Sequence, residues 1–537
     1  MKWKGALRRW KDKISLFAKR FSKAQAANGP KLAPACTAAS KGTIATMKDL
    51  KERAIRGTLA RVCAQAANLM LRVTSLAILA RLLEPKDFGL VGMVAALTGV
   101  LNLFRDFGLS AATVQHVRVT EEQTTTLFWI NVLVGILLAT AASGLAPVVA
   151  AFYHEPRLYW VTIIMASTFV FNAAGIQHSA RLQRQMRFTT LSVIDTGSWV
   201  VSTAVAIGAA KAGFGYWALV AMAVTLPLSS TTAFWMSTAW VPRMPSRRAG
   251  VGSMMRFGGT MTVTGIIVYF ASNFEKVLLG RFWGADAIGI YGRAYQLIRI
   301  PTDILNGAIG EVAFSALSRL QDEPRRLRSY FLKGYSLVLS LTLPATVACG
   351  VFAPDLIGFV LGPKWKDAAT IFRLLTPTIL VFAIANPLAW LLNAIGMVGR
   401  GVKMSLVIAP LMIGSYLLGL PYGPKGVACA YSAIMILWLV PVVAWSVHHT
   451  VISFRDILVT VSRPLASSVV AGTVAFGVCS VYGQSHLARL IVGGFVLTTI
   501  YSTTILYVMG QKSFYADLLQ KFIRRSAVEE KALASAQ

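Results

Sequence analysis

From about Gly57 onward the chain alternates apolar runs with short polar breaks, each run close to the roughly twenty residues a helix needs to cross a hydrocarbon core. The pattern predicts an all-α integral membrane protein of about fourteen transmembrane helices. Six lie near 58–82, 88–110, 124–151, 158–180, 189–210 and 215–239, and six more near 255–279, 287–315, 330–352, 369–393, 403–420 and 425–447. Two, near 464–482 and 488–510, close the membrane part. Ahead of them, Trp3, Leu7, Trp10, Ile14, Phe17 and Phe21 recur at alternating steps of four and three, with Lys2, Lys4, Arg8, Arg9, Lys11, Lys13, Lys19 and Arg20 on the other faces. This spacing predicts a basic amphipathic helix lying on an anionic leaflet. The stretch has no apolar core long enough for a cleaved leader. Residues 22–47, with Gly29, Pro30 and Pro34 among Ala, Ser and scattered Lys, read as a linker.

Composition supports the membrane class: 55% of residues are hydrophobic, 14% are charged and the mean hydropathy is +0.60. A formal net charge of +31 would suit a nucleic-acid binder, but the basic residues sit mainly in the head and in short breaks between apolar runs. There they act first as an orientation signal. Arg181, Arg184 and Arg187, then Arg243, Arg247 and Arg248, then Arg319, Arg325, Arg326 and Arg328 fall on one side, facing single residues such as Lys86, Arg157, Lys211 and Lys425 and the pair Lys364 and Lys366 on the other. The bias predicts cytoplasmic termini at both ends. The expected organisation is a basic cytoplasmic head (1–56), an N-lobe of helices 1–6 (57–250), a C-lobe of helices 7–12 (251–450), two further helices (451–512) and a cytoplasmic tail (513–537).

The two sets of six spans resemble one another. The segment Leu79–Gly92 aligns without gaps to Leu279–Gly292, with matching Leu, Arg and two Gly, and both copies fall at the break between the first and second span of their set. Six spans per copy keep the repeats parallel, related by an axis along the membrane normal. Two bundles with a cavity between them follow.

Polar residues inside the spans supply the candidate chemistry. Arg61, Gln65, Asn68 and Arg72 are spaced to share one face of the first span, and Thr98, Asn102 and Arg105 one face of the second, with Asp106 beside them. Asn273 and Lys276, with Tyr269, line the seventh span, and Tyr295, Arg299, Thr302 and Asn306 the eighth. A central arginine facing lipid costs at least a few kcal/mol, so these faces turn toward a cavity or a partner. Internal pairing, Arg72 with Asp106 or Arg299 with Asp303, would make the charges mere helix glue. For the set this falls short, because the cations outnumber Asp106, Glu275 and Asp303, and a buried excess of positive charge calls for an anion. Guanidinium groups grip phosphate or carboxylate bidentately. Pro301 is expected to break the eighth span near this site.

Signatures of catalysis are missing: the chain has no GxSxG, HExxH or phosphate-binding GxxxxGK[ST] motif and no pair of carboxylates in a sizeable outer loop. Its five cysteines, Cys36, Cys63, Cys349, Cys429 and Cys479, have no metal-binding or disulfide spacing and read as packing residues. His448 and His449 read as solvated residues at a membrane edge.

The runs Ala80–Leu90, Phe104–Gln115, Asn273–Gly284, Val312–Asp322 and Leu361–Trp365 together resemble polysaccharide-exporting lipid flippases. The family is the polysaccharide transporter branch of the multidrug/oligosaccharidyl-lipid/polysaccharide superfamily, of the lipopolysaccharide and exopolysaccharide exporter type. The resemblance covers about residues 55–450 and leaves the head outside. It implies six plus six helices with two more at the end, working by alternating access in the bacterial inner membrane on an oligosaccharide carried by undecaprenyl diphosphate. It also implies membrane lipids, a polysaccharide polymerase and a chain-length regulator as partners, and no nucleic acid. The anion-holding set is then Arg61, Arg72, Arg105, Lys276 and Arg299, lined by Gln65, Asn68, Asn102, Asn273, Tyr295 and Asn306. No metal or other cofactor is expected. Proton or sodium coupling would fall to Asp106, Glu275 and Asp303, although Glu275-Lys276 stands where family members tend to carry Asp-Asn or a similar pair. Two other readings are a cation-coupled small-molecule exporter of the same fold, which a cationic interior disfavours, and a membrane polysaccharide polymerase, which short outer loops disfavour.

Overall fold

The computed structural model describes residues 68–102, 104–105, 120–245, 252–304, 309–481, 485–512 and 515, some of them by backbone alone. All lie in the unit Gly57–Gln537. The expected head, and the tail apart from Tyr515, fall outside the described residues. Every described element is helical, with no strand among them. The N-terminal half contains α1 (68–82), α2 (Pro85–Asn102), α3 (Glu121–Gly144), α4 (Ala146–Tyr153), α5 (Leu158–Arg184), α6 (Phe188–Lys211) and α7 (Trp217–Thr238). The stretch Gly252–Ile304 breaks at Gly284 (φ 80°, ψ −173°) into α8 before it and α9 after it. Then come α10 (Glu311–Ser318), α11 (Pro324–Val351), α12 (Ala353–Val360), α13 (Lys366–Ala394), α14 (Val398–Gly419) and α15 (Gly423–Val447). Last are α16 (Phe454–Val481) and α17 (His486–Thr503).

Among the described residues nine segments are long and apolar enough to cross a membrane, one of them, Gly399–Val447, turning at Gly423 into α14 and α15. Neither α2 nor the α8–α9 stretch is among the nine. Their polar positions dilute the hydropathy, as expected of helices that line a cavity.

Several boundaries differ from the sequence pattern. The second span ends at Asn102, not near 110, and leaves Arg105 in a turn beyond it. The third divides at Leu145, where Pro147 starts the short α4. Pro301 does not break the eighth span: α9 stays helical through Ile304. The break lies at Gly284, whose positive φ is open to glycine at little steric cost. At α3, Thr120 and Gln123 exchange hydrogen bonds in a capping box, and Glu121 and Glu122 sit in the first turn.

In the first half α5 packs on α3 and α7, and α7 on α6; in the second α13 packs on α9's stretch, α11 and α15, and α14 on α15. Small residues set the close approaches, as in membrane bundles generally. A Cβ on Gly135 of α3 would lie 2.5 Å from Ala173 of α5, and one on Gly175 of α5 2.5 Å from Thr231 of α7. The last two helices lie against the second half, α16 on α11, with Phe352, Ala471, Cys479, Leu497 and Tyr501 forming a core of their own.

The halves meet through α2 and the α8–α9 stretch. A Cβ on Gly89 would overlap the Ala285 carbonyl, and a Cβ on Gly289 would overlap the Pro85 carbonyl. These are the aligned positions of the sequence repeat, 85 with 285 and 89 with 289. A contact that maps onto itself when the copies are exchanged requires a two-fold relation between them. The symmetry extends to α4 and α12: each has eight residues, begins Ala-Pro and carries Phe as its seventh residue.

Candidate functional site

Of the expected site residues, Arg61 of the cationic set, Gln65 and Asn306 of the polar lining and Asp106 of the coupling carboxylates lie outside the described residues, as does the side chain of Asp303. In the N-terminal half, Asn68 and Arg72 stand one turn apart on α1. The Asn68 Oδ1 is buried without a hydrogen-bond partner among the described residues. Arg72 is exposed, with its guanidinium carbon 4.9 Å from the centre of the Trp199 ring of α6. On α2, Thr98 bonds back to Val94 (2.8 Å) and the exposed Asn102 to Thr98 (3.4 Å). Arg105 is half-buried in the turn beyond and is not part of the helical stripe.

The C-terminal half brings its predicted residues together. Lys276 donates to Asn273 Oδ1 (2.7 Å), Asn273 donates to the Tyr269 carbonyl (3.1 Å), and the Lys276 ammonium lies 5.9 Å from the Tyr295 ring centre. Lys276 is within electrostatic reach of Glu275, Arg299 and Arg293. The cations Arg293 and Arg299 thus lie near Lys276, and Lys276 and Arg299 near Glu275. Arg293 is a residue that spacing alone missed. It donates to Gln296 Oε1 (2.5 Å) and lies 4.7 Å from the centre of the Phe88 ring, across the junction of the halves.

Glu275 is separated from this polar face. It is 1% exposed, and neither carboxylate oxygen has a hydrogen-bond partner among the described residues. Its charge reaches the buried Tyr291, Tyr416 and Tyr431 from α9, α14 and α15. The adjacent residues Glu275 and Lys276 thus differ in their partners: Lys276 bonds Asn273, whereas Glu275 is enclosed with no hydrogen bond to its carboxylate among the described residues. An unpaired carboxylate so enclosed is stable only when it binds a proton or a cation.

A second cluster closes one end of the junction. The last turn of α1 carries Ala80 and Arg81, and the last turn of α8 carries the aligned Gly280 and Arg281. Arg81 donates to the Phe359 carbonyl of α12 (2.6 Å), while Arg281 reaches His154 Nδ1 just past α4 (3.2 Å) and lies over the Phe152 ring (5.7 Å). Trp365 Nε1 donates to the Ala80 carbonyl (2.9 Å), and Tyr153 packs where a Cβ on Gly280 would lie 2.6 Å from its ring. Each half thus reaches across with the same arginine to the same short helix of the other. Trp365, expected in an exposed outer break, is fully buried here against Phe88; its neighbour Lys364 is the exposed residue. At the opposite end of the helices, Arg181 pairs with Glu121 (2.8 Å) and Arg328 grips Asp456 with two bonds (2.7 and 3.0 Å). Arg181 and Arg328, from two of the basic clusters of the sequence, therefore stand at the end away from Trp365. His448 and His449 are exposed beside them, the His448 carbonyl accepting from Arg400 (2.6 Å).

A profile for polysaccharide biosynthesis proteins matches residues 78–370, more than half of the chain. The chain belongs to that family. Within it, this chain is 26% identical to the lipopolysaccharide biosynthesis protein WzxC of Escherichia coli over 69% of its own length and 76% of the relative's. It is 30% identical to the teichuronic acid biosynthesis protein TuaB of Bacillus subtilis over 52% of its length and 59% of TuaB. It is 22% identical to the succinoglycan biosynthesis transport protein ExoT of Rhizobium meliloti over 85% of its length and 93% of ExoT. Its fold matches an inward closed structure of the lipid II flippase MurJ with a TM-score of 0.68, at 14% identity, over 87% of this chain and all of that one. An inward-facing multidrug transporter of the multidrug/oligosaccharidyl-lipid/polysaccharide superfamily matches with a TM-score of 0.58 at 13% identity, over 72% of this chain and 97% of that one. The family match bears out the polysaccharide family that the sequence motifs implied, and the likeness to the two solved structures shows the fold.

Proposed function

We propose that this protein flips an oligosaccharide repeat unit linked to undecaprenyl diphosphate across the bacterial inner membrane, by alternating access, for exopolysaccharide, capsule or lipopolysaccharide synthesis. The observation that carries the reading is the grouping of Lys276, Arg293 and Arg299 on the helices at the junction of two symmetry-related halves, with Lys276 held by Asn273 beside Tyr295 and Arg293 over Phe88 of the other half. A diphosphate is a fitting counter-charge for such a cluster. Family membership and relatives named for polysaccharide biosynthesis and transport support the choice of substrate. In this reading both termini are cytoplasmic, the Trp365 end faces the periplasm and the chain performs no covalent chemistry. A polymerase and a chain-length regulator act downstream.

Alternating access is supported by the paired closure at Arg81 and Arg281. The closure is built from repeated parts, so it can open by rocking one half against the other without unfolding a helix. Ion coupling falls to Glu275 in this proposal: its unpartnered carboxylate takes up a proton or sodium ion in one state and yields it in the other. A cation-coupled drug exporter has the same fold, but it would have to pass its cargo over three clustered cations.

The deciding experiment deletes the gene and assigns the leaflet of the trapped intermediate. Single lipid-linked repeat units held on the cytoplasmic side are expected. Units accumulating on the periplasmic side would assign the protein to polymerisation instead.

A further inference from the structure

At the Trp365 end, next to the contact of Arg81 with α12, that helix, the start of α13 and the start of α17 line a partly open cavity of about 390 Å³, in the size range of small-ligand sites. Its walls combine two chemistries. Pro354, Ile357 and Ala369 are apolar, whereas Lys366 and Arg373 supply nitrogen donors beside the His486 ring. Lys366 and Arg373 have no acidic partner among the described residues. The Arg373 Nε donates to the Gly350 carbonyl (3.2 Å), which fixes the side chain and leaves the far end of its guanidinium for another acceptor. The nearest carboxylate, Asp355, is committed: it bonds His486 Nδ1 (2.7 Å) and lies 3.8 Å from Arg489. Asp367 points to Lys425 instead (3.0 Å). Gly358 makes room for the imidazole, since a Cβ there would come within 3.0 Å of its Nε2. The N-termini of α13 and α17 add to the positive potential.

The surroundings identify the level in the membrane. Phe359, Leu487 and Ile491 are large apolar residues exposed beside the cavity, 45%, 48% and 63% respectively. A cationic pocket at helix ends, with apolar side chains exposed next to it, matches the headgroup layer, where phosphate and acyl chain are presented together. We propose that this cavity binds the phosphate of a membrane lipid, with Lys366 and Arg373 holding the phosphate and the apolar wall receiving the start of the chain. Two sources share that chemistry: an anionic phospholipid of the outer leaflet and the cargo lipid after it has crossed. Only the second source rests on the flippase reading.

The test is native mass spectrometry of the full chain with added phosphatidylglycerol, phosphatidylcholine or undecaprenyl phosphate. Wild-type protein should retain one phosphatidylglycerol that the K366Q/R373Q variant binds about tenfold more weakly, while phosphatidylcholine binding is unchanged. Because R373Q also gives up the Gly350 contact, Thr370→Trp provides a second variant: this exposed residue lines the cavity, and the indole should block it with both cations retained. Displacement of phosphatidylglycerol by undecaprenyl phosphate would assign the site to the cargo lipid as well. Its failure to displace would assign the site to leaflet phospholipid. Wild-type retention of phosphatidylglycerol by both variants, each with unaltered thermal stability, would overturn the proposal, and it would do so without bearing on export.

Discussion

At the scale of single residues, the polar stripes of the sequence divide into groups with different work. Lys276 and Arg299 remain on a polar face with Asn273 and Tyr295, Arg72 stacks on Trp199, and Arg105 leaves the stripe for a turn. Each charge-assisted contact to a phosphate contributes about 1.5–3 kcal/mol, so Lys276→Ala or Arg299→Ala should lower export by about tenfold or more while the protein still inserts. Arg299→Lys should recover export only in part if a planar grip on phosphate is required. Complementation of a deletion strain, with membrane abundance measured in parallel, checks both. Wild-type export from a variant lacking Arg72, Lys276, Arg293 and Arg299 together would return these residues to the role of helix packing. For Glu275 the expected signature differs. Glu275→Gln keeps the shape and removes the exchangeable charge, so transport into proteoliposomes should lose its dependence on an imposed proton or sodium gradient. A gradient response equal to wild type would remove Glu275 from coupling. Spacing placed Glu275 beside Lys276, but not that Lys276 would bond Asn273 while the Glu275 carboxylate is buried with no hydrogen bond among the described residues. That depends on which helices pack behind α8.

Among the elements, the contact of α2 with α9 makes the sharpest prediction. Gly89 and Gly289 let two helix starts cross with each backbone against the other's carbonyl, an approach no side chain permits. Gly89→Leu or Gly289→Leu should hold the halves apart at the Trp365 end. Spin labels at the exposed, symmetry-related positions Lys86 and Asp286 should then report a longer distance than in the wild type. An unchanged distance distribution would show that the closure does not depend on these glycines. The repeat itself was visible in four aligned identities. Their purpose was not, because Arg81 and Arg281 act on α12 and α4, which lie far along the chain.

For the whole molecule, the positive-inside bias predicts that a cysteine at exposed Lys364 reacts with an impermeant reagent in intact spheroplasts and one at Arg184 does not. The reverse result would invert the orientation. Lys364 serves because Trp365 is buried, which an outer break of that composition would not suggest. The sequence alone determined the class, the order of the spans, the two-copy organisation and the clustering of basic residues at one end. Hydrophobic length and charge distribution act locally and need no partner to be read. The tertiary structure decided what those parts do together: the break at Gly284 instead of Pro301, the crossing at Gly89 and Gly289, the recruitment of Arg293, and the cavity between α12, α13 and α17. Each of these depends on a neighbour from a distant part of the chain, against which a backbone can approach, a charge is screened or a space is left unfilled, and such a neighbour has no signature in local spacing.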